Sequence, residues 1–548
     1  MSNNLIVERV DSIDNLSQYF VFTWKDILDS NNSELAFCDP DWLRIWWKFY
    51  GKGFEELVLA VKSENNLVGV FPFVIRRKLF YKQVSLMGYP QATHMEIAVR
   101  PEYLDRALSA VFSYLNNLDG GILINLSGLK EGFTATIAIE QKIKCAGHPL
   151  LVSKTLCPII HIDSHGYEEL YQQRFSSHQK NRDRRNKKRL SLLGEISFEE
   201  LKEADMRIAF ALHESRWEKK LDTSEFTGID SKNFYTYLLT QKSPRWQPLT
   251  LGLYLNKELL AFEYGYLCGG QALLYRSAHL NLFNIFALGK MTHKELIHRC
   301  FDRGLHTVNL GIGYEKHKFE WTAHYDIIKS LSFSKNDIHS RFIFIFYFLK
   351  GSLRNKLKEN RKVVLFKRNT LGELKYLFSL EHLDNFCRRT LARIKKQGVW
   401  EYFMQSLKVK CSVKYQFNLL ERTLPFPDDG RNHNTYQASL ADVQELGLLM
   451  NCDPELVIRR FYKLDQCFVI KMNHSIICSV WVNNEKGNSL IYDYHQDRRL
   501  IQEEFVSYLF LHILSILQNQ ECIEVTLLLD KRNRIANKAA VKIGCTLL

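Results

Sequence analysis

The sequence predicts an α+β protein in which mixed sheets are flanked by helices, and three observations support this fold class. Runs rich in β-branched and aromatic residues come in neighbouring pairs and triplets joined by short polar turns. Segments with apolar residues at helical spacing separate these groups. Over residues 248–321, a meander of three strand-like runs leads into a helix, a further strand and a polar turn, the order expected of an α+β unit.

A helix and a hairpin are predicted near the N-terminus. The segment DPDWLRIWWKF predicts a helix capped by Asp39 or Asp41, with its tryptophans in the core. Residues 57–75 predict two strands around the polar turn at 63–66. The same patterns then predict a helix at 103–118 and strands at 122–126 and 159–162.

A very basic helix is predicted at 167–190. From Arg174 onward it carries eight Lys and Arg against a single aspartate, and either a solvated face or a clamp for a phosphate-bearing ligand accounts for this charge. Residues 206–240 are helical in pattern and carry two candidate polar residues, His213 and Arg216. The three-strand meander follows.

The most informative stretch is 305–321, LHTVNLGIGYEKHKFEW. It joins a buried-type strand to a glycine-broken turn and brings Glu315, Lys316, His317, Lys318 and Trp321 close together in sequence. A helix opening around Gly289 and ended by Gly304 precedes it. Because the first turn of a helix has free N–H groups and a positive dipole end, the start of this helix is a candidate anion site.

Residues 336–430 differ from the rest of the chain. Between Arg341 and Lys410 there are 17 Lys and Arg against 5 Asp and Glu, so this segment carries most of the formal charge of +14. An apolar run, Phe342–Leu349, precedes the densest basic stretch. Three roles are open for 336–410: helices that join the domains, contact with an anionic membrane surface, or binding of nucleic acid.

A new unit is predicted after the linker LPFPDDGRNHN. Its patterns predict a hairpin across Asn473 and His474, a third strand, a helix over 505–517, a strand and a short helix ended by Gly544. A closing strand is expected after such a helix, but the sequence ends four residues later. We therefore expect the last hairpin to be missing or to be supplied from elsewhere.

Composition excludes several classes of protein. The 548 residues suggest three or four domains at about 150 residues each, and 46% hydrophobic content excludes general disorder. The 12 cysteines form no CxxC pair, so no metal site and no disulfide framework is predicted. We see no signal peptide and no membrane span, which makes the cytoplasm the expected compartment, with the inner membrane surface left open.

Four motifs together resemble the CelD-like acetyltransferases of the GNAT superfamily, a group associated with cellulose and exopolysaccharide production. The resemblance covers residues 35–335. DPDWLRIWW matches the PxWxxWW-like opening, Leu67–Phe73 matches an LVGxxPF strand, and NRDRRNKKRL matches a basic helix. Asn309–Trp321 matches the closing D-F-L-x-G-x-x-x-Y-K-x-x-W-like signature, with Asn309 in place of the usual Asp and His317 in place of the usual Tyr.

The resemblance implies tandem GNAT-like domains. Residues 1–165 and 166–335 would be two GNAT-like halves, 336–430 a basic helical linker and 431–548 a separate C-terminal GNAT-like module. The acyl donor, acetyl-CoA, would be held by the second half. Its pyrophosphate would lie at the turn formed by Ala287, Leu288, Gly289 and Lys290.

The C-terminal module resembles a GNAT domain that has lost its donor site. Asn533 and Gly544 have the spacing of the N…GF terminal motif, but Ala540 stands where many acetyltransferases have a tyrosine acid. The expected pyrophosphate loop falls at 499–504, where both glycines are gone and two glutamates would face phosphates. We predict that this module binds coenzyme A poorly or not at all.

Acyl transfer from a thioester needs a base to activate the acceptor and groups that hold both substrates. Glu315, His317 and Glu263 are the candidate bases, and His317 suits neutral pH by its ordinary pKa. Lys318 is predicted either to bind a phosphate or carboxylate of a substrate or to cap a helix. Glu315, His317 and Lys318 are therefore the predicted catalytic residues.

The predicted function is transfer of an acyl group, most simply acetyl from acetyl-CoA, to an amine or hydroxyl of a saccharide or envelope precursor. Two rivals stay open: FemABX-like aminoacyl transfer from tRNA, which the basic segment would suit, and a non-catalytic scaffold that binds a partner or a membrane. The sequence leaves the acceptor, the acyl chain and the oligomeric state open.

Overall fold

The computed structural model divides the chain into two compact units. One is built mainly from residues before 369 and the other mainly from residues after 368. The structure describes residues 5–163, 166–219, 224, 226–359, 412–418, 435–472, 475–485, 488–496, 503–520, 522, 524–530 and 533–547. Most of the predicted basic linker, including 360–411, and the predicted loop residues 499–502 lie outside these ranges.

The first unit is built on one large sheet with helices around it. Its strands are β1 (Ile6–Arg9), β2 (Glu55–Ser63), β3 (Asn66–Arg77), β4 (Lys82–Leu86), β5 (Ala98–Val99), β6 (Ile122–Lys130), β7 (Leu150–His161), β8 (Ile196–Glu199), β9 (Trp246–Leu255), β10 (Glu258–Cys268), β11 (Gln271–His279), β12 (Thr307–Asn309) and β13 (Tyr325–Ser334). Its helices are α1 (Gln18–Ser30), α2 (Pro40–Tyr50), α3 (Leu104–Asn116), α4 (Thr134–Cys145), α5 (Gly166–Arg174), α6 (Ser177–Ser191), α7 (Glu203–Lys219), α8 (Ile229–Leu239), α9 (Leu288–Asp302), α10 (Lys316–Phe319) and α11 (Ile338–Glu359).

Most of the predicted elements are present. Asp39 caps α2, accepting a hydrogen bond from the backbone of Asp41, and the turn between β2 and β3 falls where it was predicted. The predicted basic helix is two helices, because Ser176 starts a new one. Gln179 N donates to Ser176 Oγ at 3.3 Å, and Ser176 N donates to Gln179 Oε1 at 3.0 Å, as in a capping box.

The sheet order shows how the predicted halves are joined. The strands run β1-β2-β3-β4-β6-β13-β7-β12-β11-β10-β9-β8, with β5 paired to β3. The last strand, β13, lies between β6 and β7 and is antiparallel to both. The far end of β7 pairs with β12 through Ile159–His161. A single sheet therefore runs through both predicted halves.

Each half repeats one motif: an antiparallel meander, a crossover helix and a parallel strand. In the first half β4 pairs parallel to β6 across α3, and in the second half β11 pairs parallel to β12 across α9. Short apolar strands next to amphipathic crossover helices favour this arrangement, because the helix covers a sheet face that would otherwise meet water.

The two halves differ at the edge where their parallel strands end. In the first half, pairing of β4 with β6 stops at Ser85 and Asn125. The following chain then fills the space: Met95 bridges to Leu129, and its N–H donates to Gly128 O at 2.6 Å. In the second half β11 runs on to its end, and only residues 280–287 connect it to α9. The second half therefore has the more open carboxyl edge.

Gly265 lies where the β10–β11 register shifts, and its packing makes a stability prediction. A Cβ at this position would lie 2.2 Å from Leu273 O on the neighbouring strand. We expect Gly265→Ala to lower the free energy of unfolding by about 1–3 kcal/mol, because the backbone must move apart. Urea unfolding measures this, with Gly132→Ala as control, since a Cβ there meets nothing within 4 Å. Equal stability of the two variants would contradict the close strand packing.

The second unit repeats the same motif around a seven-stranded sheet. Its order is β15-β16-β17-β18-β19-β14-β20, and β18 pairs parallel to β19. Its strands are β14 (Ser412–Asn418), β15 (Thr435–Gln437), β16 (Gln466–Met472), β17 (Ser475–Glu485), β18 (Asn488–Gln496), β19 (Glu524–Asp530) and β20 (Thr546–Leu547). Its helices are α12 (Val443–Leu449), α13 (Pro454–Lys463), α14 (Glu503–Asn519) and α15 (Arg534–Lys542).

A strand from upstream completes the sheet of the second unit. β14 precedes the other elements of the unit in sequence, yet it lies between β19 and β20 and is antiparallel to both. The last hairpin was expected to be missing or supplied from elsewhere; in the structure the upstream strand β14 pairs with β19 and with the short final strand β20. Residues before the predicted boundary at 431 therefore take part in the unit.

Candidate active site

The predicted site residues lie around the open carboxyl edge of the second half. Pairing of β11 with β12 covers only Gln271–Leu273 against Thr307–Asn309. Beyond that point β11 continues without β12 beside it, and α9 begins at Leu288. In sheets with parallel strands, ligands bind at such an edge, where neighbouring strands separate.

The predicted donor turn lies at the start of α9. Ala287 has a φ of 58°, and Leu288 is buried as the first residue of the helix. A Cβ on Gly289 would lie 3.0 Å from His279 Nδ1, so glycine leaves room there that a larger side chain would fill. Lys290 Nζ lies 2.9 Å from Glu320 Oε2. The turn thus offers a helix N-terminus and the Lys290 ammonium, which is already paired with Glu320.

Lys318 holds the glycine-broken loop that follows β12. Its Nζ donates to Gly311 O at 3.3 Å and to Ile312 O at 2.8 Å, and it lies 3.2 Å from Glu315 Oε2. Gly311 and Gly313 have φ values of 75° and 134°, which favour glycine. The ammonium therefore ties the loop to α10. This contact set fits a positioning role better than direct capture of a substrate anion.

A buried triangle of side chains anchors the start of the same loop. Gly311 N donates to Asn309 Oδ1 at 2.9 Å, and Cys157 Sγ donates to the same oxygen at 2.8 Å. The amide nitrogen of Asn309 then lies 3.2 Å from His94 Nε2. Because an amide NH₂ can only donate, His94 Nε2 must be unprotonated. Burial lowers the pKa of His94 to about 3, which keeps it neutral.

His317 and Glu315 lie together at the beginning of α10, but not with ordinary titration behaviour. Burial lowers the pKa of His317 to about 4, and His293 and Lys318 add to this effect. His317 was chosen as a candidate base because an ordinary imidazole pKa suits neutral pH, and in the structure its pKa is not ordinary. Burial would raise the pKa of Glu315, yet the Lys318 charge and hydrogen bonds to the carboxylate lower it overall. At neutral pH the pair is a neutral imidazole beside a carboxylate.

A carboxylate–imidazole pair lies next to His317, and only one of its two members was predicted from the sequence. His293 Nδ1 lies 3.1 Å from Glu263 Oε1, and both side chains are buried. The rings of His293 and His317 meet edge to face with centroids 6.0 Å apart. Glu263 was a candidate base, but His293 was not. The available signal was its place on the buried face of α9, three residues before Leu296.

The free nitrogen of His293 follows from its partner. A carboxylate only accepts hydrogen bonds, so the Glu263 contact places the ring proton on Nδ1. In the neutral ring Nε2 then carries a lone pair, and this nitrogen is buried with no hydrogen-bond partner among the described residues. A buried imidazole with a free lone pair, oriented by a carboxylate, is the arrangement of a general base.

Arg216 joins the cluster, whereas His213 does not. Arg216 donates to Ser277 O on β11 at 3.1 Å. Burial lowers the pKa of its guanidinium, while the charges of Glu263 and Glu315 oppose the shift, so the cation interacts electrostatically with both carboxylates. His213 contacts Ser224 Oγ at 2.8 Å and accepts from Trp217 Nε1 at 2.9 Å. Both of its ring nitrogens are therefore engaged within the core.

The equivalent edge of the second unit carries an ion pair. Asp493 lies at a register shift between β17 and β18 with a φ of 52°, and Arg460 pairs with it. Burial would raise the pKa of Asp493, but the contacts to His495 and Arg460 hold it well below its usual range. Asn533 caps α15, accepting from Ala536 N at 3.1 Å. The motif residue Asn533 therefore has a structural role, as the cap of α15.

The comparison with protein families gives a partial match. Residues 177–319 match the model of the acetyltransferase (GNAT) domain. This segment contains the basic helix α6, the meander, α9 and the cluster around His317. No curated protein matches the chain.

Several solved structures are similar in shape. A crystal structure of FemX is 12% identical, with a TM-score of 0.40, and the match covers 55% of this chain and 92% of that one. A tandem GNAT protein of the clavulanic acid pathway is 8% identical, with a TM-score of 0.37 and coverage of 61% and 99%. L-PGS from Bacillus licheniformis is 10% identical, with a TM-score of 0.34 and coverage of 60% and 96%. At these scores the likenesses carry no argument about substrates.

Two predictions are confirmed at this level. The fold class is α+β, with mixed sheets flanked by helices, and the match of residues 177–319 to an acetyltransferase (GNAT) domain agrees with the predicted enzyme class. The finer CelD-like assignment is not part of the match. What the comparison shows is therefore a match of residues 177–319 to the acetyltransferase (GNAT) domain.

Proposed function

We propose that this protein transfers an acyl group, most simply acetyl, from acyl-coenzyme A to an amine or hydroxyl acceptor at the open edge of β11. The observation that carries this proposal is the Glu263–His293 pair beside His317, within the segment that matches the GNAT domain. The thioester donor supplies an activated carbonyl. The protein supplies a base, a binding edge and fixed positions for both substrates.

Donor binding is assigned to the turn of Ala287, Leu288, Gly289 and Lys290. The first turn of α9 offers backbone N–H groups and the positive end of a helix dipole to a pyrophosphate. Gly289 keeps the space beside His279 clear. Lys290 would exchange its present partner, the Glu320 carboxylate, for the pyrophosphate of the donor.

His293 is assigned as the general base that takes the proton from the acceptor amine or hydroxyl. Its Nε2 lone pair accepts the proton as the amine or hydroxyl attacks the thioester carbonyl, and Glu263 stabilises the imidazolium that forms. The C–S bond then breaks, and coenzyme A leaves as a thiolate, which the imidazolium protonates. His317 lies next to this base as a neutral imidazole, which can hydrogen-bond the acceptor without adding positive charge. Lys318 holds the loop that carries His317 and Glu315. Arg216 balances the two carboxylates.

The acceptor class follows from the resemblance. We propose an amine or hydroxyl of a saccharide or envelope precursor, with an amino sugar as the first acceptor to test. Arg216 and Lys318 balance the charges of Glu263 and Glu315, so the charge of the cluster does not select the acceptor.

Donor stoichiometry tests the binding assignment. We expect titration calorimetry with acetyl-CoA to give one donor per chain, because the second unit carries the Arg460–Asp493 ion pair at its equivalent edge. Gly289→Val should weaken binding at least tenfold, since the branched side chain enters the space beside His279. Gly132→Val is the matched control and should bind normally. Two bound donors, or equal affinity of both variants, would contradict the assignment.

A further inference from the structure

The turn between β3 and β4 presents apolar residues to solvent. Lys78 N donates to Tyr81 O at 2.8 Å, which closes a tight turn with Leu79 and Phe80 at its tip. These two side chains are 87% and 76% exposed. A tip of this kind is normally polar, so two large apolar residues there need an explanation.

Helix α11 is fixed to the same side of the sheet. Ser340 Oγ accepts from Ile122 N at 2.9 Å, at the start of β6. A Cβ on Gly121 would lie 2.4 Å from Ile343 Cδ1, so glycine permits the close approach of the helix. Phe344 is buried on this inner face. The first turns of α11 are therefore anchored to the sheet.

The outer face of α11 is apolar as well. Phe342, Ile345, Phe346 and Leu349 are 71%, 53%, 70% and 59% exposed. Their spacing places them on one side of the helix, opposite the buried residues. A helix with one anchored stripe would normally carry polar residues on this outer side.

The turn and the helix lie next to each other. His339 Nε2 on α11 lies 3.3 Å from Phe80 O at the turn. The exposed apolar side chains therefore form one surface, here called the α11–turn patch. It consists of Leu79, Phe80, Phe342, Ile345, Phe346 and Leu349.

Basic residues surround this patch. Arg76, Arg77 and Lys78 precede the tip and Lys82 follows it, and Arg341 is exposed on the first turns of α11. Among the acids nearby, Glu55 pairs with Arg77 at 2.8 Å, and Asp337 accepts hydrogen bonds from Ser340 at 2.7 and 2.9 Å. The rim of the patch therefore keeps a net positive charge.

We propose that the α11–turn patch docks on the surface of an anionic lipid bilayer. Apolar side chains ringed by Lys and Arg enter the interface between headgroups and acyl chains, where the basic rim meets lipid phosphates. The surface would lie on the membrane rather than span it: among the described residues, no helix is long and apolar enough to cross a bilayer. Membrane contact was one of the three roles left open for 336–410, and the proposal assigns it to the described part of α11 together with the turn between β3 and β4.

Sedimentation with vesicles tests the proposal on the full chain. We expect binding to vesicles of 70% phosphatidylcholine and 30% phosphatidylglycerol, and at least tenfold weaker binding to pure phosphatidylcholine. The double variants Leu79→Ser/Phe80→Ser and Phe342→Ser/Phe346→Ser should each weaken binding to the anionic vesicles at least fivefold. Phe22→Ser, at a 70% exposed phenylalanine on α1, is the matched control and should bind as the parent protein does.

Three outcomes would overturn the proposal. Anionic vesicles that fail to bind the protein exclude a lipid partner. Loss of binding in the α11 variant alone assigns the contact to that helix and not to the joint patch. A lower oligomeric mass of either double variant in light scattering, with vesicle binding unchanged, identifies a second copy of the chain as the occupant.

Discussion

Replacing His293 with glutamine is expected to lower kcat for acyl transfer by at least about 100-fold, the usual contribution of a general base. Glutamine can still donate to Glu263 from its amide nitrogen, so the buried carboxylate keeps a partner. It has no lone pair of comparable basicity to accept the acceptor proton. The measurement is release of free coenzyme A from acetyl-CoA, with the fastest acceptor from a panel of amino sugars.

The His293→Gln experiment needs readouts that a merely structural residue would not affect. Donor affinity, measured by calorimetry, should stay within about threefold, because His293 is not assigned to the donor turn. His298→Ala is the control and should keep its turnover, because this half-buried histidine of the same helix stacks on Tyr167 and lies outside the cluster. A His293→Gln variant with unchanged kcat would remove the imidazole from the mechanism and leave His317 or Glu315 as the base.

Local patterns predicted most of the helices and strands around the site. The run around Gly289, the stop at Gly304 and the apolar spacing between them predict α9, and alternation predicts β9 to β11. These features depend on residues a few positions apart, so periodicity and glycine placement are sufficient. The cluster of Glu315, His317 and Lys318 was predicted for the same reason, since its members are neighbours in the sequence.

The remaining features depend on distant residues. Glu263 and His293 meet because β10 and α9 pack together, and nothing local marks a buried histidine as the partner of a carboxylate on another element. The positions of β13 between β6 and β7 and of β14 between β19 and β20 are also set by tertiary pairing. The low pKa of His317 follows from burial, which the ordinary imidazole value could not reveal.

Stability should fall as the pH is lowered from 7 to 4, and His94 should cause a large part of this loss. Its pKa is lowered to about 3 in the folded protein, mainly by burial with help from Lys130 and Lys318, while in the unfolded chain it is about 6.5. The unfolded state therefore binds the extra proton first, and the stabilisation present above pH 6.5 is lost as the pH falls toward 3. Linkage gives a loss of up to about 3 kcal/mol between pH 7 and 4.

The hydrogen bonds of His94 explain why the proton is excluded and how to test it. Protonated Nε2 would place an N–H against the NH₂ of Asn309, whose orientation Gly311 N fixes. We expect His94→Gln, which cannot be protonated, to flatten the pH dependence of urea unfolding, whereas the exposed His178→Gln should leave it unchanged. Equal slopes for His94→Gln and the parent protein would show that other groups control acid sensitivity.

Asn309→Asp tests the same network from the other side. The carboxylate can still accept from Gly311 N and Cys157, while its second oxygen can accept from a protonated His94. The pKa of His94 should therefore rise, and the protein should lose less stability between pH 7 and 4 than the parent does. The CelD-like signature has Asp at this position. The variant therefore also tests whether a neutral contact between Asn309 and His94 anchors the loop before His317 in this protein. A steeper loss of stability in Asn309→Asp would contradict the assigned amide orientation.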